Sequence, residues 1–150
     1  MRIVLQRVSE ASVKIEGEIR GQISYGLLIL LGIETTDTSE DIDWLLGKVL
    51  QMRIFSDSEG KMNESILDKN GELLIISQFT LHASIKKGNR PGFTKAAPPE
   101  IAIPLYTEFI SKAKLQIPGK VQTGIFGTDM KVSLVNDGPV TVIIDSKNKE

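Results

Sequence analysis

Ser77, Gln78 and Thr80 crowd around Phe79 at the end of an apolar run, Leu73-Leu74-Ile75-Ile76, which follows the turn signal Asn70-Gly71. Such a run reads as a buried strand, extending here to Leu81. Its polar end needs a reason, because a buried polar group is costly unless hydrogen-bonded. Either the three side chains are satisfied inside the sheet, or the strand delivers them to a site. Thr80 carries a hydroxyl of the kind that attacks esters, and such a nucleophile needs an adjacent base. The single histidine, His82, lies two residues on, on the same face if both are in a strand. Strand neighbours on one face are too far apart for a reliable hydrogen bond, and no third group is evident. A loop histidine near the surface is the better reading of His82.

Composition removes several other chemistries. The chain has no cysteine, which excludes disulfides, thiolate nucleophiles and cysteine metal sites. One histidine excludes multi-histidine zinc sites, so neither a metal nor a cofactor is expected. The net charge of −1 gives no global attraction to nucleic acid, and any such contact must use a local basic patch. No apolar stretch reaches the roughly 18 residues of a membrane span, and the first residues lack a signal peptide's apolar core. A cytoplasmic protein with no membrane partner is the expectation.

The elements that must position the polar cluster can be read from periodicity. Ile3 to Val8 reads as a strand. Val13 to Ile19 reads as a hairpin turning at Glu16-Gly17-Glu18. Leu27 to Leu31, between Gly26 and Gly32, reads as a central strand covered on both faces. Asp37 and Glu40 have capping-box spacing. Behind them Ile42, Leu45, Leu46, Val49 and Leu50 share one face of a helix over 40–51. Arg53-Ile54-Phe55 reads as a strand. A second helix spans about 100–114, with Pro104 requiring either a start near it or a kink. Val121 to Thr123, Lys131 to Val135 and Val140 to Ile144 read as strands. Together they predict a compact single α/β domain over 1–145, a barrel-like mixed sheet with two packed helices. A charged, mobile tail follows at 146–150.

Asn136-Asp137-Gly138-Pro139 reads by composition as a turn joining the last two strands. A Gly-Pro bond at a hairpin tip is a place for a cis peptide, found in about 5–6% of X-Pro bonds. It would present its carbonyls with no Cβ on the glycine to shield them. The sequence leaves the isomer open.

Ser77-Gln78-Phe79-Thr80-Leu81 and Asn136-Asp137-Gly138-Pro139-Val140-Thr141 together resemble the two signature motifs of the D-aminoacyl-tRNA deacylases, also called D-tyrosyl-tRNA deacylases. The resemblance continues through Gln6-Arg7-Val8, Ala11-Ser12-Val13, Arg53 to Asp57, Asn89-Arg90-Pro91 and Gln122-Thr123-Gly124, and stops after about Ile144. It implies a homodimer with two active sites at its interface. It implies that the first motif floors the pocket, and that a cis Gly138-Pro139 reaches in from the partner as a filter against L-amino acids. The implied reaction is hydrolysis of the ester joining a D-amino acid to tRNA. Glycyl-tRNA should be cleaved as well, since glycine has no side chain for the filter to meet.

Given that substrate, two chemistries stay open. Thr80 attacks, or the ribose hydroxyl beside the ester assists water while the protein positions and stabilises. In the second, which is preferred, the amide of Phe79 or Thr80 serves the oxyanion, and Gln78 orients water or ribose. Ser77 and Met130 are candidate substrate contacts, although a lone methionine is as readily core filler. Arg7 either braces the Gly-Pro segment or is an exposed arginine. Lys86, Lys87, Arg90 and Lys95 lie in the irregular stretch after the first motif, either merely solvated or touching phosphates. Phe93 either stacks on a terminal base or packs in the core. The competing reading is a non-catalytic small barrel holding single-stranded RNA ends. Its aromatic content of 5% and slightly negative charge disfavour it.

Overall fold

The structure, a computed structural model, describes residues 1–149. It is an α/β domain built on one mixed sheet. Strand β1 (Arg2–Ile15) is the long organiser. Its second half pairs antiparallel with β2 (Glu18–Ile23) and its first half with β3 (Gly26–Gly32). The connecting turn places Glu16 at φ 51 and Gly17 at φ 83, the left-handed pair that a tight hairpin needs. β3 continues parallel to β6 (Glu72–Ser77), and β6 parallel to β7 (Val121–Thr123). β4 (Phe55–Ser56) and β5 (Met62–Glu64) form a small separate ribbon. At Gly21 an added Cβ would lie 2.9 Å from the Thr123 carbonyl oxygen, so β2 curls against β7 and the sheet nearly closes.

β8 (Lys131–Asp145) runs antiparallel along the other edge of β1 for almost its full length. Its composition reads as two strands around a hairpin, and the structure corrects this. The segment 136–140 does not reverse the chain, because both flanks pair with the same strand. Gln6 faces Thr141 and Val8 faces Asn136. The four residues Asp137 to Val140 therefore oppose Arg7 alone, as an enlarged bulge. Turn-forming residues serve a bulge as well as a hairpin, since both need a local departure from the pleat.

Helices α1 (Ser39–Gln51) and α2 (Pro99–Gln116) cover one face of the sheet. Ile42, Leu45, Leu46 and Val49 of α1 are fully buried there with Phe109 of α2, against Ile29 and Ile75 of the sheet. Pro104 lies inside α2. Its missing N–H leaves only the Glu100 carbonyl without its usual donor, one turn from the start. The capping box falls one residue later than its spacing suggests. Thr38 is the N-cap and its amide donates to Asp41 Oδ2 at 2.8 Å. Asp37 is engaged elsewhere, accepting from the Glu34 amide at 2.8 Å and pairing with the buried Met1 ammonium. The 53–55 strand reduces to Phe55–Ser56.

The tail is docked rather than mobile as far as Lys149; Glu150 lies outside the described residues. Ser146 is buried and its amide donates to the Met1 carbonyl at 2.9 Å. Lys147 donates to Asp41 at 2.9 Å, and Lys149 lies 4.8 Å from the Trp44 ring centre. Burial alone would raise the Asp41 carboxyl. Its bonds from Ser146 and Lys147 outweigh that and hold it well below the usual carboxylate range. Among the described residues no helix is long and apolar enough to cross a membrane.

Candidate active site

β6 pairs with a parallel neighbour on each side. It is buried from Leu73 to Ile76 because both its faces are covered, Leu73 and Ile75 by the helix-side core and Leu74 and Ile76 by a second apolar cluster with Val8 and Leu28. The strand ends at Ser77, earlier than its sequence suggests. The Gln78 amide still donates to the Leu31 carbonyl at 2.8 Å. Then Phe79–His82 winds into one 3-10 turn. The turn packs against the end of β3, where a Cβ on Gly32 would sit 3.0 Å from both the Gln78 oxygen and Leu81 Cβ. Any larger residue there would push the turn away.

This turn separates Thr80 from His82. Thr80 is exposed, whereas His82 is 4% exposed and faces the interior, contrary to a surface loop histidine. Its Nδ1 is 3.7 Å from Glu34 Oε2, and its Nε2 has no partner among the described residues. A strand would have aimed both side chains the same way, but a 3-10 turn does not. Thr80 Oγ1 instead accepts a hydrogen bond from Gln78 Nε2 at 2.5 Å. A donor on that oxygen restrains it and does nothing to make it nucleophilic. The amides of Phe79 and Thr80 donate to no backbone carbonyl outside the turn among the described residues. They are its leading N–H groups, which a helical turn leaves over.

Ser77, Gln78 and Phe79 form one side of a cavity of about 280 Å³. Ala102 from α2 contributes to its lining, as do Phe126 and Met130 from the segment before β8. Met130 is positioned by Gly124, where an added Cβ would collide with its sulfur. Gly124 thus lets the methionine lie flat across β7's exit and reach the cavity. Phe79, 55% exposed, meets Phe93 edge-on with ring centres 5.0 Å apart. Phe93 is 37% exposed and so is not a core residue.

Gly138 and Pro139 are exposed, lie in the β8 bulge and do not line this cavity. Their peptide bond is cis, and Gly138 has φ +137. Arg7 holds the bulge from below and is only 7% exposed, not a surface arginine. Its Nε donates to the Asp137 carbonyl and lies 3.1 Å from Asp137 Oδ2, while its guanidinium also donates to the Ile54 carbonyl at 2.6 Å. Asn136 Nδ2 lies 3.0 Å from both the Arg7 and Val140 carbonyl oxygens, clamping the two ends of the bulge.

One supporting residue reads in the sequence only as a helix face position. Tyr106 of α2 is buried, and its hydroxyl donates to the Ile75 carbonyl at 3.0 Å, two residues before Ser77. Its ring packs 5.7 Å from Phe126 of the cavity wall. The available signal was a tyrosine at a core position, because a buried phenol needs a partner. Burial pushes its ionisation up to about 12, with a Ser77 backbone contact opposing. The folded state thus favours the protonated phenol. That preference is intact below pH 10 and is lost as the pH rises from 10 to 12, costing about 2–3 kcal/mol. Tyr106→Phe should be about 1 kcal/mol less stable than wild type at pH 7. Urea midpoints measured from pH 9 to 12 should show that gap closing at about pH 11 and then reversing, the phenylalanine variant becoming the more stable, and a constant gap would refute the titration.

The sheet, the motif pocket and the braced bulge define an α/β domain with a small, partly open site and a second motif held outside it. The sequence model of the D-Tyr-tRNA(Tyr) deacylase family matches residues 4–145, and the chain belongs to that family. It is 60% identical to a D-aminoacyl-tRNA deacylase of Flavobacterium psychrophilum and 59% identical to one of Bacteroides fragilis, each over the whole of both chains. Among solved structures it superposes on a c-Myc DNA unwinding element binding protein with a TM-score of 0.92, at 39% identity over 97% of this chain and 98% of the other. A probable eukaryotic D-amino acid tRNA deacylase shares the fold, with a TM-score of 0.83 at 15% identity over 95% and 97%.

Proposed function

We propose that this chain hydrolyses the ester of D-aminoacyl-tRNA, releasing the D-amino acid and tRNA. Family membership and full-length relatives of that name carry the reading. The aminoacyl end would enter the cavity beside Ser77 and Met130. The free amides of Phe79 and Thr80 would meet the developing oxyanion, and Gln78 would orient water or the ribose. Thr80 is an orienting group in this scheme, because its hydroxyl is bonded to Gln78 and no base adjoins it. No metal or cofactor enters the scheme.

The second motif fits a two-chain site. Not one of β8's fifteen residues is fully buried, and Val135 and Ile143 are 50% and 69% exposed. Such apolar positions along a sheet edge suit a second copy of this chain. Gly138 and Pro139 lie midway along that edge, so a partner placed there would receive them. In the homodimer proposed, they face the partner's Ser77 to Leu81 and stand where an L side chain would go.

The test measures amino-acid release from matched D- and L-aminoacyl-tRNA. Turnover of the D ester alone supports the reading, and binding without turnover would support a non-catalytic RNA-end binder instead. In the same assay under single-turnover conditions, Thr80→Ala should keep measurable hydrolysis. Complete loss with binding intact would restore Thr80 as nucleophile.

A further inference from the structure

From Leu73 to Pro99 the chain contains no Asp or Glu, although its overall charge is −1. Within that stretch residues 84–92 fold into a small hairpin arm. The Ser84 amide donates to the Gly92 carbonyl at 2.8 Å, and the Gly92 amide donates back at 2.9 Å. Every residue from Ala83 to Lys95 is exposed. At the tip Gly88 has φ +117, and an added Cβ there would touch nothing within 4 Å, so the arm projects into open space. Lys86 and Lys87 stand on one leg and Arg90 on the other. None of them forms an ion pair among the described residues, whereas Arg2, Lys61, Lys112, Lys131 and Lys147 all do.

The base of the arm is fixed to the site. Phe93 follows Gly92 and rests edge-on against Phe79 of the cavity lining. Ala97 then donates to the Ile33 carbonyl at 2.9 Å. The arm that carries the unpaired cations is therefore rooted beside the cavity, on the side where Phe79 is exposed.

We propose that this arm grips the sugar-phosphate backbone of the tRNA behind its aminoacyl end, through Lys86, Lys87 and Arg90. The inference rests on the deacylase reading and adds a division of labour to it. The cavity holds the aminoacyl nucleoside, and the arm supplies affinity for the rest of the RNA. Cations that touch only phosphate carry no sequence information, so the arm serves different tRNAs equally.

The test compares wild type with K86Q/K87Q/R90Q on two esters of one D-amino acid, a full-length tRNA and free adenosine. The variant should raise KM for the tRNA ester about tenfold or more at moderate salt, with kcat unchanged. It should flatten the log–log salt dependence by about 2–3, near one for each phosphate that the variant no longer neutralises. Hydrolysis of the adenosine ester should stay within about twofold, which also reports an intact fold. Equal losses on both esters would overturn the proposal and make the arm a prop for the cavity. No loss on either would overturn it too. If wild type cleaves neither ester, the deacylase reading fails. Binding of uncharged tRNA across the same salt range would then decide the arm, an unchanged variant refuting it.

Discussion

Arg7→Ala should lower D-aminoacyl-tRNA hydrolysis by at least about 100-fold and lower stability by about 2–4 kcal/mol. The stability loss follows from what the guanidinium leaves behind. Asp137 loses its ion pair, and the carbonyls of Asp137 and Ile54 lose their charged donor beneath the sheet edge. Hydrogen bonds to a charged group contribute roughly 1.5–3 kcal/mol each, and orphaned buried acceptors cost more than a simple deletion. For a chain of this size that corresponds to roughly 5–15 °C in melting midpoint. The activity loss follows from the bulge. Four residues opposite one have no ladder of their own, so Arg7 and Asn136 set their course. Arg7→Lys is the informative companion. It keeps the charge but not the fork, so it should recover part of the stability and little of the activity. Wild-type kcat in a folded Arg7→Ala protein, checked by circular dichroism, would remove the bulge from the mechanism.

Glycyl-tRNA should be hydrolysed within about tenfold of the D-aminoacyl rate, while the matched L-alanyl ester falls at least about 100-fold below it. On the proposed arrangement the Gly138-Pro139 backbone excludes whatever projects in the L direction. A D residue projects the other way and glycine projects nothing. A 100-fold difference needs about 2.7 kcal/mol, which a methyl group forced against backbone can supply, because backbone cannot swing aside as a side chain can. The measurement is single-turnover release from D-alanyl, glycyl and L-alanyl esters of one tRNA. If the glycyl and L-alanyl esters resist equally, selection reads something other than side-chain direction.

The large periodic features are legible in the sequence. The buried run of β3, the apolar face of α1 and the hairpin after β1 each follow from a local pattern that packing reinforces. What escapes depends on partners distant in the chain. Asn136 to Pro139 has turn composition. Only the pairing of both flanks with β1 makes it a bulge, and pairing across 130 residues leaves no local trace. His82 reads as a surface residue only while the strand is extended four residues too far. The 3-10 turn packs closely on Gly32 of another strand, a long-range contact that its own residues do not announce. Asp37 looks like an N-cap but is taken by the chain's ammonium. Ser77, Gln78 and Phe79 of the cavity lining are readable as part of a motif, whereas Thr80 and Leu81 of the same motif do not line the cavity. Tyr106 beneath that lining is hidden by an ordinary helical spacing.

The pairing of β1 with β8 also governs how the molecule is made. β1 leaves the ribosome first and can join β2 and β3 within a few dozen residues. Its other edge must wait for β8, whose Asp137 lies 130 residues after Arg7. At about 5–20 residues per second that delay is on the order of ten seconds. Throughout it, a long strand with one apolar face shows unpaired amides and carbonyls to the cell, a form prone to joining other chains. A nascent chain stalled before residue 131 would therefore be the aggregation-prone species, and it would lack the Gly-Pro segment altogether.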